Sequence, residues 1–377
     1  MENKYLFILG RNPELSVKEV FSYFNKEKIK ILNYSLIKNG LFLEINEEIN
    51  LDIINEFGGV ISIGKVILGG NLEFLKKEIS QKMIYSGTKN NITYVLFNFS
   101  DIDSFDKIRE VIKKKFRNEK LKATEKPLTG IMEMQNGKRI NIVGSKIDEQ
   151  YFLFSLDSKL FYFGKIESSY NYNSLEKRDM EKPFRREELA ISPRLAKIII
   201  NLSEVKTKGK IIDPFCGIGV ILFEGLLKNL NVTGIDIDKN AIEGAEQNLE
   251  WGKFSNKNYK VLINDSSKVK FNENFDVLVS EPDLGETLKK FPTKEKADEI
   301  LKKFENLIIR VLNNFKNNVK GRIVFSSPFI MTMEKKRKGC DIKNILNKTR
   351  LKLVKGFPIE DFRYNQVVGR QIFVLEK

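Results

Sequence analysis

Hydrophobic and polar positions in the first 66 residues alternate in short blocks that predict a small α+β module. Apolar residues recur at helical spacing in Ser16–Asn25 and in Leu51–Phe57. Asn39-Gly40 separates two runs with strand-like alternation, and this dipeptide is a strong signal for a hairpin turn. The predicted strands are Tyr5–Leu9, Lys30–Leu36, Leu41–Ile45 and Val60–Val66. The order β-α-β-β-α-β is that of a ferredoxin-like module, which we place at residues 1–66.

A second α+β pattern follows at residues 67–165, and a polar, non-periodic stretch at 166–190 predicts a linker. The predicted elements are helices at Leu72–Tyr85 and Phe105–Phe116 and strands at Ile92–Phe99, Arg139–Val143, Tyr151–Leu156 and Leu160–Phe163. The second helix ends in Lys113-Lys114-Lys115, a run that is usually only a solvated helix face. Because Lys120, Lys122 and Lys126 follow it, a surface that contacts phosphates is the alternative.

Residues 191–377 alternate between strand and helix patterns, which is typical of a parallel α/β sheet. The predicted helices are Leu195–Leu202, Val220–Leu230 and Ala241–Trp251. The predicted strands are Lys210–Asp213, Val232–Asp236, Lys260–Asn264, Asp276–Val279 and Arg322–Phe325, followed by Leu351–Phe357 and Gln371–Leu375 as a candidate antiparallel pair. A sheet of this kind binds its ligand at the carboxyl ends of the strands, near the point where the strand order reverses.

Composition narrows the chemistry because none of the 377 residues is histidine. This excludes Ser-His-Asp and Cys-His catalysis and zinc held by histidine, so we expect carboxylates, backbone groups, amines or a bound cofactor to act, without a metal. Two cysteines, no signal-peptide pattern and no long apolar run favour a cytoplasmic location without a membrane. The net charge of +15 fits a polyanionic partner and biased codon usage equally well.

The sharpest motif is the run Asp213-Pro-Phe-Cys-Gly-Ile-Gly219, in which a buried strand ends in an acid and a glycine turn leads into a helix. Gly217 and Gly219 allow unusual backbone angles and the close approach of a ligand. The spacing matches neither a dinucleotide fingerprint nor a phosphate-binding loop. We therefore predict that Asp213, Phe215, Gly217 and Gly219 bind a cofactor without a phosphate group.

Two further acids end the next two predicted strands. Asp236 is well placed to accept hydrogen bonds from two ribose hydroxyls, whereas Asp238 is interpreted as a helix cap. Asp265 follows the third strand and could accept from an adenine amino group. Three acids at three consecutive strand ends, together with the glycine turn, predict a nucleoside cofactor. S-adenosylmethionine fits this prediction.

The fourth strand leads into Glu281-Pro282-Asp283-Leu284-Gly285, and here the chain resembles the class I S-adenosylmethionine-dependent methyltransferases. It resembles more closely the THUMP-domain tRNA guanine-N2 methyltransferases. The stretches that carry this resemblance are Tyr5–Ser16, Arg178-Asp179, Ser192–Ala196, Asn201-Leu202, Asp213–Gly219, Pro358-Ile359, Asp361–Arg363 and Val368–Arg370. The resemblance implies a THUMP-like RNA-binding domain at 67–165, a Rossmann-like methyltransferase domain at 191–377, and tRNA or another structured RNA as the substrate.

One motif departs from that family, whose amino-methylating sequence is Asp/Asn-Pro-Pro-Tyr/Phe. The resemblance implies catalytic roles for Glu281, Pro282 and Asp283, but Leu284 cannot stack on a flipped base as an aromatic residue would. Three interpretations remain open: methylation of guanine N2 in a reshaped pocket, methylation of another nucleoside (a DNA amino group included), or a non-catalytic RNA-binding protein with a degenerate site.

Overall fold

The computed structural model describes residues 3–144, 146–157, 159–186, 191–285 and 288–377. Its helices are α1 (Pro13–Glu27), α2 (Leu72–Gln81), α3 (Ile102–Asn118), α4 (Tyr172–Met180), α5 (Pro193–Leu202), α6 (Val220–Leu227), α7 (Lys239–Trp251), α8 (Lys294–Phe315) and α9 (Ile342–Thr349), and Leu51–Glu56 forms a 3-10 helix. The chain divides into two compact units. The first contains Met1–Pro13, Ile29–Asn55 and Val60–Tyr170, and the second contains the remaining residues.

One eight-stranded sheet forms the framework of the first unit. The strands of this unit are β1 (Asn3–Leu9), β2 (Ile31–Ile37), β3 (Gly40–Ile45), β4 (Val60–Gly70), β5 (Asn91–Phe99), β6 (Lys122–Glu125), β7 (Gly130–Glu133), β8 (Arg139–Ile142), β9 (Glu149–Ser155) and β10 (Phe161–Ser169). The sheet has the order β2-β3-β1-β4-β10-β9-β5-β6, and β7 pairs with β8 separately. Strand β4 crosses residue 66, so both stretches predicted as separate modules contribute to the same sheet.

The second unit contains the predicted parallel sheet. Its strands are β11 (Lys210–Asp213), β12 (Asn231–Asp236), β13 (Tyr259–Ile263), β14 (Val277–Ser280), β15 (Ile323–Met331), β16 (Arg337–Lys338), β17 (Lys352–Leu353), β18 (Ile359–Asp361) and β19 (Val368–Glu376). The order is β13-β12-β11-β14-β15-β19-β17, in which β13 to β15 are parallel and β19 is antiparallel. The predicted α/β class is confirmed, and the strand order reverses between β11 and β14.

Helices cover both faces of this sheet, which explains why its strands read as continuous apolar runs. Successive residues of a strand point to opposite faces. Ile211 accordingly packs in the core formed with α5, α6 and α7, whereas Ile212 packs in the core formed with α8 and α9. Among the described residues, no helix is both long enough and apolar enough to cross a lipid bilayer.

The interval predicted as a linker, residues 166–190, contains regular structure that the sequence pattern did not predict. Strand β10 extends to Ser169, and α4 occupies nine of the following residues, capped by the Asn171 side chain. Helix α4 buries none of its residues. The hydrophobic periodicity that reveals an amphipathic helix is therefore absent from its sequence. Residues 187–190 lie outside the described part of the chain.

The second unit also includes the segments Glu14–Lys28 and Glu56–Gly59 from the N-terminal part of the sequence. Glu19 of α1 is fully buried, and its Oε1 accepts hydrogen bonds from Gly58 N at 2.7 Å and from Asn201 Nδ2 at 2.8 Å. Its Oε2 accepts a hydrogen bond from Gly59 N at 2.7 Å. A buried carboxylate needs such donors, and here they join α1 to α5 and to the turn before β4.

Candidate active site

Acidic side chains meet at the carboxyl edge of the parallel sheet, where the strand order reverses. Asp213 is the last residue of β11, Asp236 is the last residue of β12, and Glu281 directly follows β14. Asp265 lies two residues beyond the end of β13. The structure therefore brings the predicted acids to neighbouring strand ends, which is where sheets of this kind bind ligands.

The glycine turn after β11 is held by the second strand. Gly217 N donates to Oδ2 of Asp236 at 2.8 Å, and Cys216 N donates to the carbonyl oxygen of Ile235 at 2.9 Å. Gly217 has φ of 51°, and no atom lies within 4 Å of the position that a Cβ would take. The turn thus presents a glycine backbone to open space, as close approach by a ligand requires.

Asp213 is fully buried and is only partly satisfied by hydrogen bonds. Its Oδ1 accepts from Phe215 N at 3.1 Å and from the Ser280 hydroxyl, whereas its Oδ2 has no partner among the described residues. Burial raises the pKa of Asp213 to about 7, the bonds from Ser280 and Phe215 oppose the rise, and the nearby carboxylates of Asp236 and Glu281 add to it. A cation bound beside Asp213 would therefore stabilise the ionised form of this carboxylate.

Asp236 combines a structural role with free acceptor capacity. Each of its oxygens accepts one backbone hydrogen bond, Oδ2 from Gly217 N and Oδ1 from Asp238 N at 2.9 Å. A carboxylate has about four lone-pair positions, so about two remain for ligand hydroxyls. Asp238 caps α7 by accepting from Asn240 N at 2.9 Å, as predicted, and also pairs with Arg186 at 2.7 Å.

Asp265 lies in a turn whose own residues already use its carboxylate. Oδ1 accepts from the backbone and the hydroxyl of Ser267 at 2.9 and 2.7 Å, and Oδ2 lies 3.0 Å from Lys268 Nζ. These donors, Ser267 first, lower the pKa of Asp265 to about 2. The neighbouring Ser266 hydroxyl donates to the carbonyl oxygen of Pro214 at 2.6 Å, which ties this turn to the glycine turn. An adenine contact by Asp265 stays a prediction.

Two exposed isoleucines at the same edge were missed by the sequence analysis. Ile237 is 74% exposed and lies between Asp236, which ends β12, and Asp238, and Ile263 is 51% exposed at the end of β13. Large apolar side chains are normally buried at such positions in a sheet covered by helices. The signal was present in the pattern Asp236-Ile237-Asp238, because an apolar residue between two acids at a strand end is not expected to face a core. These side chains offer an apolar surface for a flat ring.

Phe184 packs close to the site, and its segment is held by a buried asparagine. Asn248 of α7 exchanges two hydrogen bonds with the backbone of Phe184, at 3.0 and 3.1 Å, and donates to the carbonyl oxygen of Ile218 at 3.0 Å. The ring of Phe184 occupies the space that a side chain at Gly244 would need. Residues 182–186 are thereby fixed beside the glycine turn.

The predicted binding residue Phe215 is half-buried and packs against the core on the α8 side of the sheet. Cys216 is buried and packs against Gly234, and burial raises the pKa of its thiol well above the usual value. A thiol in this state is not a nucleophile. The residue agrees with its interpretation as a packing residue. Within the described ranges, no three cysteine, aspartate or glutamate side chains are grouped as metal ligands.

Glu281 has one oxygen in an ion pair and one without a partner. Its Oε1 accepts from Arg370 Nε, and its Oε2 is buried with no hydrogen-bond partner in the described part of the chain. Burial raises the pKa of Glu281, Arg370 opposes this rise and Asp361 adds to it. Of the other two predicted catalytic residues, Pro282 is buried, and Asp283 is exposed and accepts from Gly285 N at 3.0 Å. Of these three predicted catalytic residues, Glu281 is the one with a buried, unsatisfied acceptor.

Comparisons with known proteins agree with this geometry. Residues 206–352 match the methyltransferase domain family. The chain is 27% identical over 332 residues to the tRNA (guanine(10)-N2)-dimethyltransferase of Pyrococcus abyssi, with 86% of this chain and 88% of that protein covered. It is 34% identical over 115 residues to the tRNA (guanine(10)-N2)-dimethyltransferase of Methanothermobacter thermautotrophicus, a match that covers 30% of this chain and 33% of that protein.

The fold is shared with a solved structure along almost its whole length. TrmN from Thermus thermophilus aligns with a TM-score of 0.56 at 13% identity, and the alignment covers 99% of each chain. This likeness supports the architecture of both units. We conclude that the second unit contains a methyltransferase domain and that the chain is a homologue of proteins named tRNA (guanine(10)-N2)-dimethyltransferase.

Proposed function

We propose that this protein transfers methyl groups from S-adenosylmethionine to the exocyclic N2 of a guanosine in tRNA, at position 10 as in its named relatives. The observation that carries the proposal is that two sets of carboxylates lie at the same edge of the sheet, one set around the glycine turn and the other at the end of β14. Asp213 and Asp236 flank an open glycine turn, and Glu281 presents a buried oxygen without a partner. Asp213 and Asp236 suit a cationic nucleoside, and Glu281 suits an amino group.

The residues at this edge fit S-adenosylmethionine. Asp236 would accept from the ribose hydroxyls, Asp265 from the adenine amino group, and Asp213 would face the cationic amino end through its unpaired Oδ2. The open side of Gly217 leaves room for close approach, and the exposed side chain of Ile237 offers an apolar contact to the adenine. When bound, this cofactor supplies a methyl group on a sulfonium, which is already a good leaving group.

Glu281 acts on the attacking nitrogen. Its Oε2 accepts a hydrogen bond from the exocyclic amine, which directs the nitrogen lone pair away from the carboxylate and toward the methyl donor. As the new nitrogen–carbon bond forms and the methyl–sulfur bond breaks, the nitrogen would have a proton to lose, and Oε2 would take it up. Burial raises the pKa of Glu281, which favours this transfer. The rest of the catalysis is positioning.

The first unit binds the RNA in this proposal. Lys114, Arg117 and Lys120 are exposed along the end of α3 and just beyond it, next to the exposed Lys122 and Lys126. Basic side chains on one stretch of surface bind phosphates without reading sequence. They would position a structured RNA, and the second unit would select the nucleotide.

The test is methylation of defined RNA by the purified full chain. We expect methyl groups from labelled S-adenosylmethionine to appear as N2-methylated guanosine in an unmodified tRNA transcript, as read by nucleoside mass spectrometry. A transcript with adenosine at position 10 is the matched control and should stay unlabelled. Label in a duplex DNA or at adenosine would favour another nucleoside as the target, and RNA binding without label would favour a non-catalytic protein.

Glu281→Gln separates the roles of this residue from folding. We expect the variant to bind S-adenosylmethionine like the wild type and to lose roughly 10²-fold or more in turnover, because the amide offers no carboxylate to take up the proton. Glu305→Gln is the matched control, since Glu305 is also a buried glutamate and accepts hydrogen bonds, from Asp341 N and Asn344 Nδ2. Equal turnover in both variants would remove Glu281 from the mechanism.

A further inference from the structure

Arg370 reaches Glu281 across an intervening strand. Strand β15 lies between β14 and β19. Ser280, just before Glu281, pairs with Phe325, and Arg370 pairs with Pro328 on the other side of β15. Strands in a sheet lie about 4.8 Å apart, so the two charged residues begin roughly 10 Å apart and meet through their side chains. Such a contact needs two long side chains.

The residue between them is small enough to allow the contact. Ser326 pairs with Ile372 on β19, two positions from the Pro328–Arg370 pair. Residues two apart on a strand share a face. Ser326 and Arg370 therefore lie on one face of the sheet. Ser326 is fully buried, and its short side chain makes no hydrogen bond among the described residues.

The ion pair leaves the two oxygens of Glu281 in different states. Oε1 is occupied by Arg370 Nε, while Oε2 is buried and has no partner in the described ranges. An aspartate, one methylene shorter, would not extend as far toward β19. The glutamate in place of the family's aspartate or asparagine therefore has a structural reason: its length allows a second strand to fix the carboxylate.

We propose that Arg370 is a positioning residue for methyl transfer, which binds Oε1 of Glu281 and so turns Oε2 toward the amino group of the substrate base. This inference rests on the proposed function. The charged groups around Glu281 are Arg370 on β19, Asp361 on β18 and Asp213 on β11. Asp361 lies opposite Arg370 in the antiparallel pairing of β18 with β19. Arg370 is the cation of this group, and it opposes the rise that burial and Asp361 cause in the pKa of Glu281.

The test compares Arg370→Gln with Arg322→Gln. Arg322 is a matched control because it is 22% exposed, against 21% for Arg370, and forms an ion pair with Glu204 at 2.6 Å. We expect Arg370→Gln to keep its affinity for S-adenosylmethionine and to lose roughly 10²-fold in kcat. The acid limb of its kcat–pH profile, measured at saturating substrates, should move to higher pH because Glu281 loses its cation. Arg322→Gln should keep the acid limb of the wild-type kcat–pH profile. Glu281→Gln should show no acid limb, because its amide does not titrate.

The outcomes are distinct. A wild type that forms no methylated guanosine contradicts the proposed function and this inference with it. An active wild type, together with an unchanged kcat and limb in Arg370→Gln, overturns this inference alone, and so does an equal shift in Arg322→Gln. If Arg370→Gln does not fold, Arg370→Lys is measured in the same way. It keeps the charge without the Nε donor, so we expect a reduced kcat with a limb near that of the wild type, and a wild-type kcat would contradict positioning through Nε.

Discussion

The ionised form of Asp213 is poorly stabilised in the unbound protein, and a cationic ligand would stabilise it. Full burial and two neighbouring carboxylates raise its pKa to about 7, so this group titrates close to neutral pH in the unbound protein. Oδ2 has no donor among the described residues to stabilise the ionised form. A cation bound next to it would lower the pKa and release that proton.

We predict that the affinity for S-adenosylmethionine rises with pH up to about 7 and then levels. Binding favours ionised Asp213, so each pH unit below its pKa costs up to about tenfold in affinity. Asp213→Asn cannot titrate, and we expect its affinity to be weaker and nearly flat over the same interval. Calorimetry at several pH values, in buffers of different ionisation enthalpy, counts the protons released. A profile with the same slope in both proteins would contradict the role of Asp213.

The same shift has a second consequence, for folding. The pKa of Asp213 lies above its usual 3.8 in the folded protein, so this group stabilises the fold at low pH. That contribution is lost as the pH rises from about 4 through 7, because the unfolded chain gives up its proton first. Denaturation of the unbound wild type should show this decline, and Asp213→Asn should lack this part of it.

Residue-level prediction from the sequence succeeded where the partners are close in sequence. Asp213 and the glycine turn form one continuous motif, and Asp236 ends the next strand, so pattern alone brought them together. Arg370 is 89 residues from Glu281. Its proximity depends on β19 entering the sheet beside β15, antiparallel to it, which no local pattern specifies.

At the scale of elements, the turn between β11 and α6 depends on two glycines with different surroundings. Both have positive φ, 51° at Gly217 and 82° at Gly219. A Cβ on Gly219 would lie 3.2 Å from the Cβ of Ala245, on the neighbouring helix α7. A Cβ on Gly217 would meet no atom within 4 Å. One glycine is therefore required for helix packing, and the other keeps a space open.

We predict that both alanine variants lose stability and cofactor affinity, but in different proportions. Gly217→Ala should lose about 1 kcal/mol of unfolding free energy for its left-handed backbone, and more in cofactor affinity because the methyl group enters the open space. Gly219→Ala should lose more stability than that, since it also crowds Ala245, and less affinity per folded molecule. Urea denaturation and calorimetry measure the two quantities. A larger loss of affinity in Gly219→Ala would contradict this assignment of the open space.

The elements that the sequence predicted well are those that bury apolar side chains. Strands β11, β12 and β14 and helix α7 follow their apolar runs closely. Helix α4 was missed because it buries no residue, and strand β6 was missed because its four residues are exposed or half-buried. Strand Leu351–Phe357 was predicted too long, because only Lys352 and Leu353 pair with β19. The pattern of apolar residues indicates which side chains are buried. It indicates only indirectly the backbone hydrogen bonds that define a helix or a strand.

At the scale of the whole molecule, the order of strands in the first unit lies beyond local patterns. Strand β4 pairs with β10, which lies about 90 residues later, and β9 lies between β10 and β5 in the sheet. Sequential strands are neighbours in most sheets, so such an insertion is not the default expectation. The basic stretch at the end of α3 is, by contrast, visible in the sequence, because charge needs no long-range partner.

We predict that this basic stretch supplies phosphate contacts to tRNA without affecting the methyltransferase site. Replacing Lys114, Arg117 and Lys120 by glutamate should weaken tRNA binding and reduce the slope of log affinity against log salt by roughly two to three, because each phosphate contact releases about one counterion. Affinity for S-adenosylmethionine should stay at the wild-type value.

The matched control reverses three exposed lysines of the second unit, Lys302, Lys320 and Lys348, and so changes the net charge by the same amount. Binding of an unmodified tRNA transcript is measured at several salt concentrations for both variants. If net charge alone attracts the RNA, the two variants lose affinity equally and their salt slopes change together. If α3 is the contact surface, only its variant changes slope, because counterions are released where basic side chains touch phosphates and not elsewhere on the protein.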